Sequence, residues 1–159
     1  MNNWTEQIDC ITQDFTKAFG ELNIEQLNWK PSPDTWSIAQ NIDHLIVINS
    51  SYFPIIESVR KGNYKTPFIG KIGIIRFFFR KMLLKFVHPD SKKKIKTLSM
   101  WKPEQNVIPK GILNRFKKHQ SELKGMIENS KGLVKEGATI SSPANKYIVY
   151  DVGTAFDII

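Results

Sequence analysis

The sequence predicts an all-α fold, a helical bundle built from four amphipathic segments. In each segment, apolar residues recur at steps of three and four, which places them on one face of a helix. No stretch alternates apolar and polar residues convincingly over the length of a strand. The chain has 159 residues, enough to bury a proper core, so we expect a single domain over residues 1–159.

The first two predicted helices lie in the N-terminal part of the chain. The apolar face of the first consists of Trp4, Ile8, Ile11, Phe15, Phe19 and Leu22. The second helix runs from about Ile38 to Arg60, and Ser37 and Gln40 have the spacing of a capping box at its start. Because proline removes a backbone donor, Pro54 should kink or shorten this helix.

The other two predicted helices lie in the C-terminal third of the sequence. One covers about Lys110–Ser130 and follows Pro109, which suits a first helical turn. The fourth begins near Tyr150 or Asp151. Its apolar pattern is still running at Ile159, so we expect this helix to be incomplete and to continue in a longer form of the protein.

A long crossover, Gly62–Ile108, separates the second helix from the third and fits a bundle in which these two run parallel. It contains an amphipathic piece that predicts an extra helix. Its apolar band consists of Ile72, Ile75, Phe79, Met82, Leu83 and Phe86. Frequent charges exclude a membrane span. Packing over the bundle is the favoured use of this band, and a helix lying on a membrane surface is the alternative.

The chain is basic, with 23 lysines and arginines against 15 acids and a formal charge of +8. The excess lies between Lys61 and Lys118 and is densest at Lys92–Lys94, within a basic segment over residues 71–96. Such a surface could meet nucleic acid, anionic lipid or an anionic substrate, or be a solvated face without a partner. Because interleaved aromatics and a reading helix are missing, we expect no specific nucleic-acid partner.

The single cysteine, Cys10, cannot form an internal disulfide, which predicts a reducing compartment and a cytoplasmic location. Its neighbours Ile8 and Ile11 favour a buried structural thiol over a reactive one.

His44 is the residue on which any chemistry depends. It shares a helical flank with Asn41, Ile48 and Ser51 at the edge of the apolar stripe, so these three are candidate pocket-lining residues. A neutral imidazole there could ligate a divalent metal or act as a general base. The structural alternative is a core-edge histidine bonded to a backbone carbonyl.

The other two histidines are weaker candidates. His119 falls within the apolar face of the third helix and is either a core histidine or a second pocket residue at the depth of His44. His88 follows the amphipathic piece and predicts an exposed loop residue. Two histidines make an incomplete metal site, because a catalytic zinc usually has three protein ligands. The sequence has no phosphate loop, nucleophile elbow or paired-cysteine motif.

The segment Leu27–Leu45 resembles the DinB/YfiT-like superfamily through its proline-rich approach, the W-S-I sequence and the H-L pair. The helix order, the long crossover and Thr97–Pro103 (TLSMWKP) are also similar. The resemblance implies an up-down-down-up four-helix bundle, commonly a homodimer. It also implies a divalent metal, zinc or nickel, held by three histidines.

Of those three histidines only the one on the second helix carries over, to His44. The other two form an H-x-x-x-H pair on the fourth helix, which does not appear before Ile159. The resemblance implies a hydrolase or a low-molecular-weight thiol S-transferase, in which a metal activates water or a thiol of a small-molecule substrate. The alternative is a non-catalytic binding or dimerisation module.

Overall fold

The computed structural model describes residues 3–88, 90, 96–103 and 107–159. They are mostly helical, as predicted. The α-helices in chain order are α1 (Trp4–Phe19), α2 (Ile24–Asn28), α3 (Ile38–Ser50), α4 (Phe53–Arg60), α5 (Gly73–Val87), α6 (Ile112–Asn129), α7 (Lys131–Lys135) and α8 (Val152–Ile158). The 3-10 helices are η1 (Phe68–Lys71) and η2 (Ser99–Trp101), and the strands are β1 (Thr139–Ser142) and β2 (Asn145–Asp151).

The chain divides into two compact units, each built from two separate segments. The first comprises residues 1–49 and 99–126, and the second comprises residues 50–98 and 127–159. The single domain over residues 1–159 stays a prediction.

The core of the first unit brings together side chains from α1, α2, α3 and α6. Its buried members are Leu27, Ala39, Ile42, Ile108, Ile112 and Phe116. Phe15 of α1 stacks on Phe116 of α6 with ring centroids 4.7 Å apart. Burying each side chain of this size contributes about 1.5–3 kcal/mol. The predicted apolar faces of the first and third helices therefore meet in one core.

The predicted helix Ile38–Arg60 is two helices. α3 ends at Ser50, and Pro54 lies in the first turn of α4. Proline is tolerated in a first turn because the N–H that it lacks would have no helical partner there. The expected shortening at Pro54 is confirmed.

The second unit contains a β-hairpin, which corrects the all-α prediction. β1 and β2 pair antiparallel with Ile140 opposite Tyr150, and the register shifts between Ser141 and Ser142. The sequence hides this hairpin because three consecutive residues of β1 are buried, two of them serines, and Val149 and Tyr150 are buried side by side in β2. Burial in these strands does not alternate, so no period of two is visible.

The amphipathic piece of the crossover forms α5, as predicted. It contacts β2 and α8 within the second unit, with Ile75, Phe79 and Met82 half-buried. The Arg76 guanidinium donates to Thr139 Oγ1 over 2.9 Å, which ties α5 to the hairpin. Lys92–Lys94, the densest part of the basic segment, lies outside the described residues.

The last helix begins where the sequence predicts it. Asp151 is the N-cap of α8, and its carboxylate accepts the Thr154 N–H over 2.8 Å. Val152 and Phe156 are buried, in agreement with the predicted apolar side.

The prediction for Cys10 is wrong, because its thiol is exposed. Ile8 is buried and Ile11 is exposed, so apolar neighbours in the sequence do not show that Cys10 itself is buried. Within the described part of the chain, no helix is both long and apolar enough to cross a membrane.

Candidate functional site

The start of α3 is built by the predicted capping box. The Gln40 N–H donates to Ser37 Oγ over 3.1 Å, and the Ser37 N–H donates to Gln40 Oε1 over 3.0 Å. Both residues are buried, so this reciprocal pair satisfies backbone donors that would otherwise lack partners. The cap fixes where α3 begins and thereby places His44 on its second turn.

His44 is half-buried and is held by two tryptophans. Its Nδ1 lies 2.6 Å from the backbone carbonyl oxygen of Trp101, and its ring centroid lies 5.0 Å from that of Trp36. Since a carbonyl oxygen only accepts hydrogen bonds, Nδ1 carries the proton, and the basic lone pair of the neutral ring is on Nε2.

This contact is what the structural alternative predicts for His44, a core-edge histidine bonded to a backbone carbonyl. The same contact is usual for metal-ligating histidines, which donate their second ring N–H to a carbonyl or carboxylate. The geometry therefore fixes the ring and its tautomer and is compatible with both roles.

Two of the three predicted neighbours of His44 lie on the same helix as His44, and the third does not. Asn41 and Ile48 are on α3 at the expected spacing, and the Asn41 side-chain amide donates to the Ser37 carbonyl over 2.8 Å. α3 ends before Ser51, which belongs to the second compact unit. Ser51 therefore does not extend the helical flank of His44.

His119 is a buried residue of α6, as the core alternative predicts. Burial lowers its pKa, and the nearby Glu122 carboxylate opposes that shift. The His44 ring hydrogen-bonds the Trp101 carbonyl and packs beside the Trp36 ring. His88 is exposed directly after α5, where its Nδ1 accepts the Asp90 N–H over 3.3 Å.

A three-ligand metal site does not fit the residues that the structure describes. Among them, no group of three or more histidine, cysteine, aspartate or glutamate side chains could hold a metal ion. His44 thus supplies one ring nitrogen of the kind that binds zinc or nickel. The described residues provide no second and third ligand beside it.

Sequence reasoning missed an ion pair next to His44 whose carboxylate is buried. The carboxylate of Asp43 is buried on α3 and lies 3.2 Å from the guanidinium of Arg115 on α6. A charge in an otherwise apolar helix face is the signal that could have identified it, because buried carboxylates are almost always paired. The pair holds α3 against α6 within the first unit.

The first unit also contains an apolar cavity of about 420 Å³ between α2 and the start of α6. Leu22, Leu27 and Ile112 are among its lining residues, and His44 is not. Asn28 closes one wall, because its side chain donates to the Ile108 carbonyl and accepts the Ile108 N–H. A cavity of this size fits a small molecule.

Comparison with known proteins identifies one family. The sequence profile of the DinB superfamily matches residues 7–129, which include most of α1, all of α2 to α6, and His44. The hairpin and α8 lie outside the matched range. Neither a curated protein nor a solved structure matches the chain. Because the profile covers well over half of the sequence, the chain belongs to the DinB superfamily.

Proposed function

We propose that this protein is an enzyme of the DinB type, a hydrolase or a low-molecular-weight thiol S-transferase, and that His44 is its reacting residue. The observation that carries the proposal is the 2.6 Å contact between His44 Nδ1 and the Trp101 carbonyl. It leaves the ring with one basic nitrogen, Nε2, at a half-buried position.

In this proposal Nε2 of His44 takes the proton of a bound water or thiol as the oxygen or sulfur attacks the substrate. The imidazolium formed in this way keeps its Nδ1–H bond to the Trp101 carbonyl, and that bond strengthens because its donor is now charged. The bond to the leaving group then breaks, and Nε2 returns the proton to the departing group. Trp36 packs beside the ring and limits its rotation. Trp101 and Trp36 are therefore positioning residues.

Whether His44 also holds a metal ion is a separate question. The family resemblance implies zinc or nickel, but the described residues supply one histidine where three protein ligands are usual. We therefore assign no step of the reaction to a metal. An ion held by His44 would need donors from outside the described part of the chain.

Metal analysis of the full-length protein tests the proposal. Zinc and nickel contents are measured after dialysis for the wild type, for His44→Ala and for His88→Ala, which removes an exposed imidazole elsewhere. Metal that is lost only in His44→Ala supports the proposed enzyme and shows that His44 also binds its metal. Equal metal content in all three proteins excludes His44 as a metal ligand. Hydrolase or thiol S-transferase activity that is retained in His44→Ala would contradict the proposed role of His44 as the base.

A second candidate function is a non-catalytic binding module, and the apolar cavity favours it. The cavity has the volume of a small-molecule site and is lined by the side chains of the first unit's core. Binding of the fluorescent probe 1-anilinonaphthalene-8-sulfonate tests this function. Leu22→Trp, which fills the cavity, should lower the fluorescence increase, whereas Leu98→Trp, at an exposed position, should preserve it. An undiminished signal in Leu22→Trp would exclude the cavity.

We also propose that the helices form an up-down-down-up four-helix bundle and that two copies of this bundle form a homodimer through α1. Ile11, a large apolar residue exposed on α1, supports pairing along this helix. We expect light scattering to give the mass of a dimer for the wild type and of a monomer for Ile11→Lys. A monomeric wild type would contradict this part. The single cysteine supports a cytoplasmic location.

A further inference from the structure

The helix α5 has apolar side chains on two faces. Its inner face, with Ile75, Phe79 and Met82, is half-buried in the second unit. Its outer face presents Ile74, Phe77 and Phe78, whose exposed fractions are 76%, 63% and 62%. An amphipathic helix that only packed onto its own unit would have polar residues at these three positions.

The apolar surface continues onto the preceding segment. Phe68 of η1 is 79% exposed, Ile72 just before α5 is also exposed, and η1 contacts α5. We call Phe68, Ile72, Ile74, Phe77 and Phe78 the outer apolar patch. Single exposed apolar residues are normal on a protein surface, but five large ones within eleven residues indicate a binding surface.

Lysines extend this patch along the helix. Lys81 and Lys85 follow Phe78 at steps of three and four, so they lie on the outer face of α5 one and two turns further on. The arginines point elsewhere: Arg76 bonds Thr139, and Arg80 lies 3.9 Å from the carboxylate of Asp157. The outer face therefore combines large apolar side chains with lysines.

The sequence on both sides of α5 is one-sided in charge. Residues 58–103 contain 13 of the 23 basic residues of the chain and only one of its 15 acids. A purely apolar partner would explain the patch but not this excess of positive charge. A partner that is both apolar and anionic explains both features.

We propose that the outer face of α5 binds the surface of an anionic lipid bilayer. The outer apolar patch enters the boundary between headgroups and acyl chains, while Lys81 and Lys85 contact the lipid phosphates. Single-stranded nucleic acid fits less well, because the aliphatic side chains of Ile72 and Ile74 cannot stack on bases. The inference does not depend on the role of His44.

Vesicle sedimentation tests the proposal with the full-length protein. The vesicles are pure phosphatidylcholine or an equimolar mixture of phosphatidylcholine and phosphatidylglycerol, each at low and at high salt. The wild type should bind only the mixed vesicles, and high salt should weaken the binding. Lys81→Gln/Lys85→Gln should lower the partition coefficient about 25-fold, since each lysine near an anionic surface contributes about fivefold. Phe77→Gln/Phe78→Gln should lower it at least about tenfold.

The matched control is Lys110→Gln/Lys117→Gln, which removes the same charge from exposed positions in the first unit and should bind almost like the wild type. Far-ultraviolet circular dichroism verifies that each variant keeps its helices. Equal losses in the two lysine variants would overturn the proposal by showing that only net charge matters. Equal binding to both kinds of vesicle would overturn it too. So would a Phe77- and Phe78-dependent affinity for poly(U) without binding to vesicles.

Discussion

The hydroxyl oxygens of Tyr52 and Tyr150 lie 2.9 Å apart, joined by a hydrogen bond buried in the second unit. Tyr52 immediately precedes α4, and Tyr150 lies near the end of β2. Burial raises the pKa of both phenols, although the bond to Tyr150 partly offsets the shift at Tyr52. This bond anchors the hairpin to the α4 region.

Removing one of these hydroxyl groups should weaken the second unit. Tyr52→Phe takes one partner from the buried Tyr150 hydroxyl, which keeps its hydrogen bond with Ser142, so we expect the free energy of unfolding to fall by about 1 kcal/mol. Urea denaturation followed by circular dichroism measures the change. Tyr147→Phe, at an exposed position of β2, should leave the free energy unchanged. A similar small effect in both variants would contradict the argument.

The same pair predicts a loss of stability at alkaline pH. In the unfolded chain the two tyrosines ionise near pH 10.0, whereas the folded protein keeps their protons to higher pH because both pKa values are raised. Above about pH 10 the unfolded state therefore holds fewer protons, and the free energy of unfolding falls by up to about 1.4 kcal/mol per tyrosine and pH unit. Urea titrations between neutral pH and pH ~11 should show this slope. In Tyr52→Phe/Tyr150→Phe the slope should be shallower, and an unchanged slope would refute its assignment to this pair.

The ion pair between Asp43 and Arg115 should respond unequally to loss of its two members. Arg115→Met leaves a buried carboxylate without its cation, which we expect to cost about 2–4 kcal/mol. Asp43→Asn leaves a guanidinium that is half-exposed and hydrated, so its cost should be about 1 kcal/mol. Lys118→Met, which removes an exposed pair with Glu122 on the same helix, should change the free energy of unfolding by less than about 0.5 kcal/mol. Thermal and urea unfolding distinguish these values, and equal costs for Arg115→Met and Asp43→Asn would show that the carboxylate is not effectively buried.

The proton of the neutral His44 ring should be on Nδ1. The carbonyl of Trp101 accepts from that nitrogen, so Nε2 should have the ¹⁵N chemical shift of an unprotonated imidazole nitrogen. Long-range proton–nitrogen correlation spectra of labelled protein measure both nitrogens, and His44→Gln assigns the signals. A proton on Nε2 would remove the basis for the role proposed for His44.

Two glycines should respond to alanine with opposite signs. A Cβ at Gly70 would lie 3.0 Å from Thr66 Cγ2 and 3.1 Å from Thr139 Cγ2, so Gly70→Ala should destabilise the protein by about 1–2 kcal/mol. A Cβ at Gly125 meets nothing within 4 Å, and Gly125→Ala should stabilise α6 by about 0.5–1 kcal/mol. Melting temperatures measure both changes. Stabilisation by Gly70→Ala would mean that η1 does not pack closely on the hairpin.

Periodicity predicted the long helices α1, α5 and α6 well, because an apolar face repeats over several turns in each, whereas the short helices α2 and α7 were not predicted. It succeeded for the Phe15–Phe116 contact region and for the start of α8, and proline chemistry predicted the break at Pro54. It failed for the hairpin, where Ser141 and Ser142 take buried positions that usually hold apolar residues. Polarity alone cannot show that a serine is internal, since a small hydroxyl with partners can be buried at little cost.

The candidate site was predictable only in part. The capping box and the helical spacing correctly placed His44 on the second turn of α3. Its carbonyl partner, on Trp101, is 57 residues away in sequence, and no local pattern predicts such a contact. The resemblance to the DinB superfamily is confirmed over residues 7–129, whereas the metal and the reaction stay proposals.

The division of each compact unit between two distant segments has a consequence for synthesis on the ribosome. The first unit needs residues up to 126, and the second cannot close until residues 127–159 have emerged. Until then residues 50–98, including α5 with its phenylalanines, are outside the ribosome without the hairpin and α8 that they contact in the folded chain. During each round of translation, this hydrophobic stretch therefore emerges before the residues that cover it, which makes it a target for chaperones.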